Sequence, residues 1–217
     1  MNLFRSMDQL LRRPDETNSI NPVALLIGAI LCYVLYGVAA GFFQGGWSLG
    51  LAVMKVPLII LGSLALCVPS LYVFTAIAGA ELSPREFAGA LAGFCGVAGL
   101  LLLALMPVIW LFSVSTISLA FVVWLHIAVW IITLAFAQRF LARSAPAARG
   151  TIGLWLVLLF FVSLQMTTYV RPVLWRSAGE PLFATEKKSF FGHIDDVANW
   201  KPTTPTRADA GAPAPRR

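Results

Sequence analysis

From Phe87 to Gln138 the chain runs for 52 residues without one Asp, Glu, Lys or Arg, and the only imidazole in that run is His126. A water-soluble domain has no use for an apolar stretch of that length. Two passages through a bilayer need about 20 apolar residues each and a short turn between them, which is what this run supplies. The chain therefore reads as an integral membrane protein. Its composition, 59% hydrophobic and 12% charged, agrees, since soluble domains carry charge on about a quarter of their residues. With 217 residues and most of them apolar, no soluble domain of ordinary size fits beside the bundle.

Five spans emerge. The first runs from Val23 to Phe43, with Asn21 placed to cap it and Pro22 at the first helical position, where a missing N–H costs nothing. The second covers Val56 to Ala78 and contains Pro57 and Pro69; the latter removes a mid-span hydrogen bond and predicts a kink. Ser83-Pro84-Arg85-Glu86 combines a Ser cap, a proline and a Glu in capping-box spacing, a strong start for a third span reaching Phe112. Ser113, Ser115 and Thr116 are the only turn chemistry inside the uncharged run, so a fourth span follows over Ile117 to Gln138. Arg139, Arg143, Pro146, Arg149 and Gly150 read as a loop, and the fifth span occupies Thr151 to Val170 before Arg171-Pro172. The fold class expected is an all-α polytopic bundle over residues 22–172, with an amphipathic N-tail at 1–21, an interfacial segment at 173–200 and a disordered end at 201–217.

Half of the sixteen Lys and Arg lie at or beyond Arg171, so the net charge of +6 belongs to the flanks of spans. There it attracts anionic headgroups and sets orientation; it does not indicate nucleic-acid binding. Placing the N-terminus in the cytoplasm puts Arg5, Arg12, Arg13, Arg85, Arg139, Arg143 and Arg149 inside, against Lys55, Arg171, Arg176, Lys187 and Lys188 outside. That count favours N-in and C-out, and the Gly/Ala-rich, Arg-biased composition suggests a bacterial inner membrane. No cleavable signal peptide is evident, so the first span should act as an uncleaved anchor. In the N-tail, Leu3, Phe4, Met7, Leu10 and Leu11 recur at helical spacing, as do Phe190, Ile194 and Val197 behind Lys187-Lys188. Both segments suit the headgroup region.

Candidate site residues are few. His126 is an ionisable group inside a span, near the middle of the predicted fourth helix, and is a functional candidate for that reason; the plain alternative is a neutral imidazole hydrogen-bonded to a carbonyl. Gln165 lies near the end of the fifth span ahead of Arg171, where the pair would form a polar entrance for a headgroup or peptide, or where Gln165 simply bonds a neighbouring helix. Lys55 reads as a snorkelling anchor. Cys32, Cys67 and Cys95 fall in separate apolar segments without metal-ligand spacing and read as small apolar side chains. Gly37 with Gly41, and Gly89 with Gly93, have GxxxG spacing, and Ala88, Ala92 and Gly96 extend the small face of the third span, which predicts close helix packing. His193, Asp195 and Asp196 read as the solvated face of the tail. The hydrolase, phosphate-loop and metalloprotease patterns are missing from the sequence, so no enzyme, cofactor or metal is expected.

Lys55-Val56-Pro57, Val68-Pro69-Ser70-Leu71-Tyr72-Val73-Phe74, Met106-Pro107, Gln165-Met166 and Arg171-Pro172 followed by Phe190-Phe191 resemble a pattern in bacterial multi-span proteins of unassigned activity. A cytoplasmic N-tail, five closely spaced helices and a short far-side tail resemble the Yip1 family of membrane-trafficking proteins. The resemblance implies a five-helix scaffold that binds other membrane proteins or shapes lipid. The expected function is thus a non-enzymatic membrane scaffold or accessory subunit, whose partners are the lipid bilayer and another membrane protein or a second copy of the chain. The alternative is a small transporter or lipid-handling component, with Pro69 and Pro107 breaking helices around a cavity lined by His126 and Gln165.

Overall fold

The computed structural model describes residues 21–41, 47–80, 82–116 and 118–170. The two expected tail helices, the disordered end and Arg171 lie outside them. Helix α1 spans Pro22–Gly41, α2 Trp47–Ile77, α3 Pro84–Ser115, α4 Leu119–Ser144 and α5 Arg149–Tyr169, with one 3-10 turn at Pro146–Ala148. Five of these helices are long and apolar enough to cross a membrane, and the all-α class read from the sequence is the observed one.

Helix starts follow the local chemistry. The Asn21 carboxamide oxygen accepts from the Val23 N–H at 3.0 Å. At α3, Ser83 Oγ accepts from the Glu86 N–H at 3.3 Å, and a Glu86 carboxylate oxygen accepts from the Ser83 N–H at 2.9 Å. Two otherwise orphaned donors are satisfied reciprocally. Replacing Ser83 with alanine is expected to cost about 1 kcal/mol of stability, read as a lower melting temperature in detergent, while Pro84 and Glu86 keep the helix start in place.

Two boundaries differ from the sequence expectation. The segment from Arg139 to Arg143 is helical rather than loop, because α4 continues to Ser144 and only the Pro146–Ala148 turn separates it from α5. Long arginine stems remain compatible with a helix as it leaves the hydrocarbon. Arg143 in the last turn also faces the partial negative charge of the helix C-terminus. Helix α2 begins nine residues earlier than expected and runs unbroken through Pro57 and Pro69, as α3 does through Pro107. These prolines do not divide their helices into half-helices.

The main packing pairs are α1 with α3, α3 with α4, α4 with α5, α5 with α2, and α2 with α1. The five helices therefore close into a ring in the order α1, α3, α4, α5, α2. Small residues bring α1 and α3 together: a Cβ added at Gly99 would lie 3.2 Å from Ala29 Cα and 3.1 Å from Cys32 Cβ. One turn away the buried Tyr33 hydroxyl donates to the Cys95 carbonyl at 2.9 Å, tying the same two helices. Gly93 of α3 admits the Phe140 ring of α4, which clusters with Leu25 and Cys32 of α1. Gly93 and Gly99 thus each admit a neighbouring helix, whereas nothing lies within 4 Å of a Cβ added at Gly89, the other half of the GxxxG pair. Ala88, at the end of the small face, is exposed.

Candidate functional site around His126

Since the helices alternate in direction, Arg85, Arg139, Arg143 and Arg149 gather at the end where α1, α3 and α5 begin. His126 lies toward the other end. It is seven residues into α4, about 10 Å along the axis, and so nearer one surface than the mid-span position the sequence suggested. The difference arises because α4 extends six residues beyond Gln138.

The imidazole is held from two sides. Its Nδ1 lies 2.8 Å from the Val122 carbonyl oxygen. A carbonyl can only accept, so Nδ1 carries the proton and Nε2 presents a lone pair. The Tyr36 ring of α1 meets the imidazole edge-on, with centroids 6.0 Å apart and planes at 75°. Nε2 itself is buried and has no hydrogen-bond partner among the described residues, as is true of Ser113 Oγ and Thr133 Oγ1. Other helical hydroxyls here donate to their own helix: Ser63 to Ile59, Ser163 to Leu159 and Thr167 to Ser163. Ser113 and Thr133 are exceptions to that habit.

Deeper in the bundle the ring is filled. Trp155, fully buried on α5, donates its indole N–H to the Cys67 carbonyl of α2 at 2.8 Å. Its ring meets Phe94 of α3 edge-on at 5.9 Å. One side chain thereby joins three helices across the interior. The same Cys67 carbonyl accepts the Ser70 hydroxyl at 2.7 Å.

The four residues singled out from sequence do not form one constellation. Gly153 of α5 sits beside Gln138 of α4, its added Cβ 3.4 Å from the amide nitrogen. Twelve residues onward along α5 and twelve back along α4 bring Gln165 level with His126. Yet Gln165 is exposed on the outside of the bundle while the imidazole ring contact points to α1. Met166 touches the Gly62 position of α2, and half-buried Lys55 lies seven residues further along that helix, about 10 Å nearer the surface. Arg171 lies outside the described residues. The three cysteines are free and buried, as small apolar side chains would be.

Sequence reasoning missed Tyr36, Tyr33 and Trp155. A usable signal existed for Trp155, because tryptophan favours the membrane interface and this one stands six residues inside its helix. Nothing in the chain order pairs Tyr36 with His126.

Five closely packed helices, each long and apolar enough to cross a membrane and carrying large apolar side chains on the outside as well as in the core, define a polytopic helical membrane protein. Comparison with protein-family models, curated proteins and solved structures finds no match to this chain.

Proposed function

We propose that the chain is a non-enzymatic scaffold or accessory subunit of a membrane protein complex in a bacterial inner membrane. The observation that carries this reading is the filled interior at Trp155, Phe94 and Cys67. A bundle whose helices are bolted together by interior side chains, with prolines that leave α2 and α3 continuous, is suited to presenting a fixed outer surface. The resemblance to five-span Yip1 proteins supports the same reading. Arg85, Arg139, Arg143 and Arg149 at one end support an orientation with that end, and hence the start of α1, in the cytoplasm. Five crossings then put the far end of α5 outside.

A second reading, a small transporter or lipid-handling component, draws on His126 Nε2, Ser113 Oγ and Thr133 Oγ1, which have no hydrogen-bond partner among the described residues, because buried polar atoms of that kind are places where water or a solute hydroxyl would bind. The two readings separate on one pair of measurements. Full-length tagged protein purified in mild detergent should bring down a different membrane protein in fixed stoichiometry. His126→Leu should leave that complex intact and raise thermal stability by about 1 kcal/mol, since it removes a buried acceptor with no donor. Recovery of the chain with only a bound lipid or solute, lost on His126→Leu, would replace the scaffold reading with the transporter one.

A further inference from the structure

We propose that Arg139 and Arg143 of α4, with Arg149 of α5, bind the phosphate of an anionic phospholipid whose acyl chains lie along α4. The inference stands apart from the scaffold reading, since a transporter could hold a lipid at the same place.

The depth of the two α4 arginines follows from the helix itself. From Leu119 to Gln138 the helix carries no charge, and at about 1.5 Å per residue that stretch is about 30 Å long, the thickness of a hydrocarbon core. Arg139 is the next residue, so its backbone stands where hydrocarbon gives way to headgroups, and Arg143 stands one turn further out. The Arg139 guanidinium does not stretch toward water. It lies over the Phe136 ring, 5.0 Å from the centroid, and Phe136 is nearly a turn deeper in the membrane. A cation kept at that depth is poorly hydrated and calls for an anion beside it.

The described part of the protein supplies none. Among the described residues the only carboxylate is Glu86, which already accepts from the Ser83 N–H at 2.9 Å and the Ser83 hydroxyl at 2.7 Å. Arg139 and Arg143 are both exposed, and four residues apart on one helix they repel each other. Arg149, also exposed, precedes Gly153 by one turn on the side of α5 that meets Gln138. That register brings a third cation to the level of Ala142 and Arg143.

A phospholipid fits this arrangement better than a soluble anion. Ile132 and Phe136, 44% and 49% exposed, lead to Arg139 and Arg143 at spacings of four, three and four, which keeps all of them on one outward stripe of α4. An amphiphile lying along the stripe meets apolar side chains with its acyl chain and guanidinium forks with its phosphate, whose oxygens match that fork geometry. A zwitterionic headgroup brings its own ammonium to a site that already holds three positive charges, so the site selects for net negative charge. Free phosphate gains nothing from the apolar part.

The test uses the full chain, purified in detergent and freed of native lipid, with phosphatidylglycerol and phosphatidylethanolamine as probes. Phosphatidylglycerol should stay bound in native mass spectrometry and raise the melting temperature, and phosphatidylethanolamine should bind roughly tenfold more weakly. Arg139→Gln and Arg143→Gln should each lower phosphatidylglycerol affinity roughly tenfold, with the lipid-free melting temperature unchanged. Arg85→Gln removes an exposed arginine from the same end of the bundle, on α3, and should leave affinity within about twofold. Equal binding of the two lipids would overturn the proposal, as would equal losses in Arg85→Gln and Arg139→Gln, which would mean diffuse attraction to a basic end. Displacement of the lipid by millimolar inorganic phosphate would also overturn it, since the site would then recognise the free anion.

Discussion

Truncating Trp155 to alanine is expected to lower the stability of the folded bundle by about 3 kcal/mol, at the low end of the range for removing a buried tryptophan. The low end applies because apolar side chains leaving this interior enter lipid rather than water, so the transfer component is small and lost packing dominates. The indole is fully buried and is the one described side chain that bonds α2 while stacking on α3 from α5. Its loss should therefore loosen α5 and α2 together. Trp155→Phe keeps most of the volume and removes only the N–H, and the Cys67 carbonyl retains Ser70 as a donor; about 1 kcal/mol is expected there. Thermal unfolding of both variants in one detergent checks the ratio. Equal losses would mean that the hydrogen bond, and not the packing, holds the centre.

Gly99→Ile should cost a similar amount, about 3 kcal/mol, by overpacking. A Cβ at this position already meets Ala29 Cα at 3.2 Å and the Ala29 carbonyl oxygen at 3.3 Å. These are backbone atoms of another helix and cannot rotate aside, so α1 has to move away from α3, carrying Tyr33 off the Cys95 carbonyl. Gly89→Ala serves as the control. Nothing lies within 4 Å of its added Cβ, and alanine is the better helix former, so that variant should be as stable as the parent or slightly more so. Protease resistance and melting temperature, measured on both, read the contrast directly; a Gly99→Ile protein as stable as Gly89→Ala would show that α1 and α3 do not pack closely there.

The parts of the fold legible from sequence were those set by local chemistry. The Ser83 to Glu86 capping box and the Asn21 cap appear as read, because a helix start depends on residues within one turn. Span number followed from hydrophobic length alone. The Arg139 to Arg149 loop was misread for a related reason: arginine marks the exit from hydrocarbon, but a helix need not end where the lipid does. The candidate site was less legible. His126 stood out by its chemistry, yet its bare Nε2 and its contact with Tyr36 depend on α1 lying beside it, some ninety residues away in the chain. Gln165 could bond inward or face outward with equal ease at its sequence position, and only packing places it outside.

By itself, then, the order of residues determined the solvent, the count of crossings, the caps and the end of the bundle that carries positive charge, all consequences of how a short apolar or charged stretch partitions between water and lipid. Tertiary structure decided which helices are neighbours, that Trp155 fills the ring and that Gln165 stays on its outside. The reason is that lipid solvates every face of an apolar helix almost equally well. Which faces meet is then chosen by shape and by a few hydrogen bonds between helices, and neither is written in hydropathy.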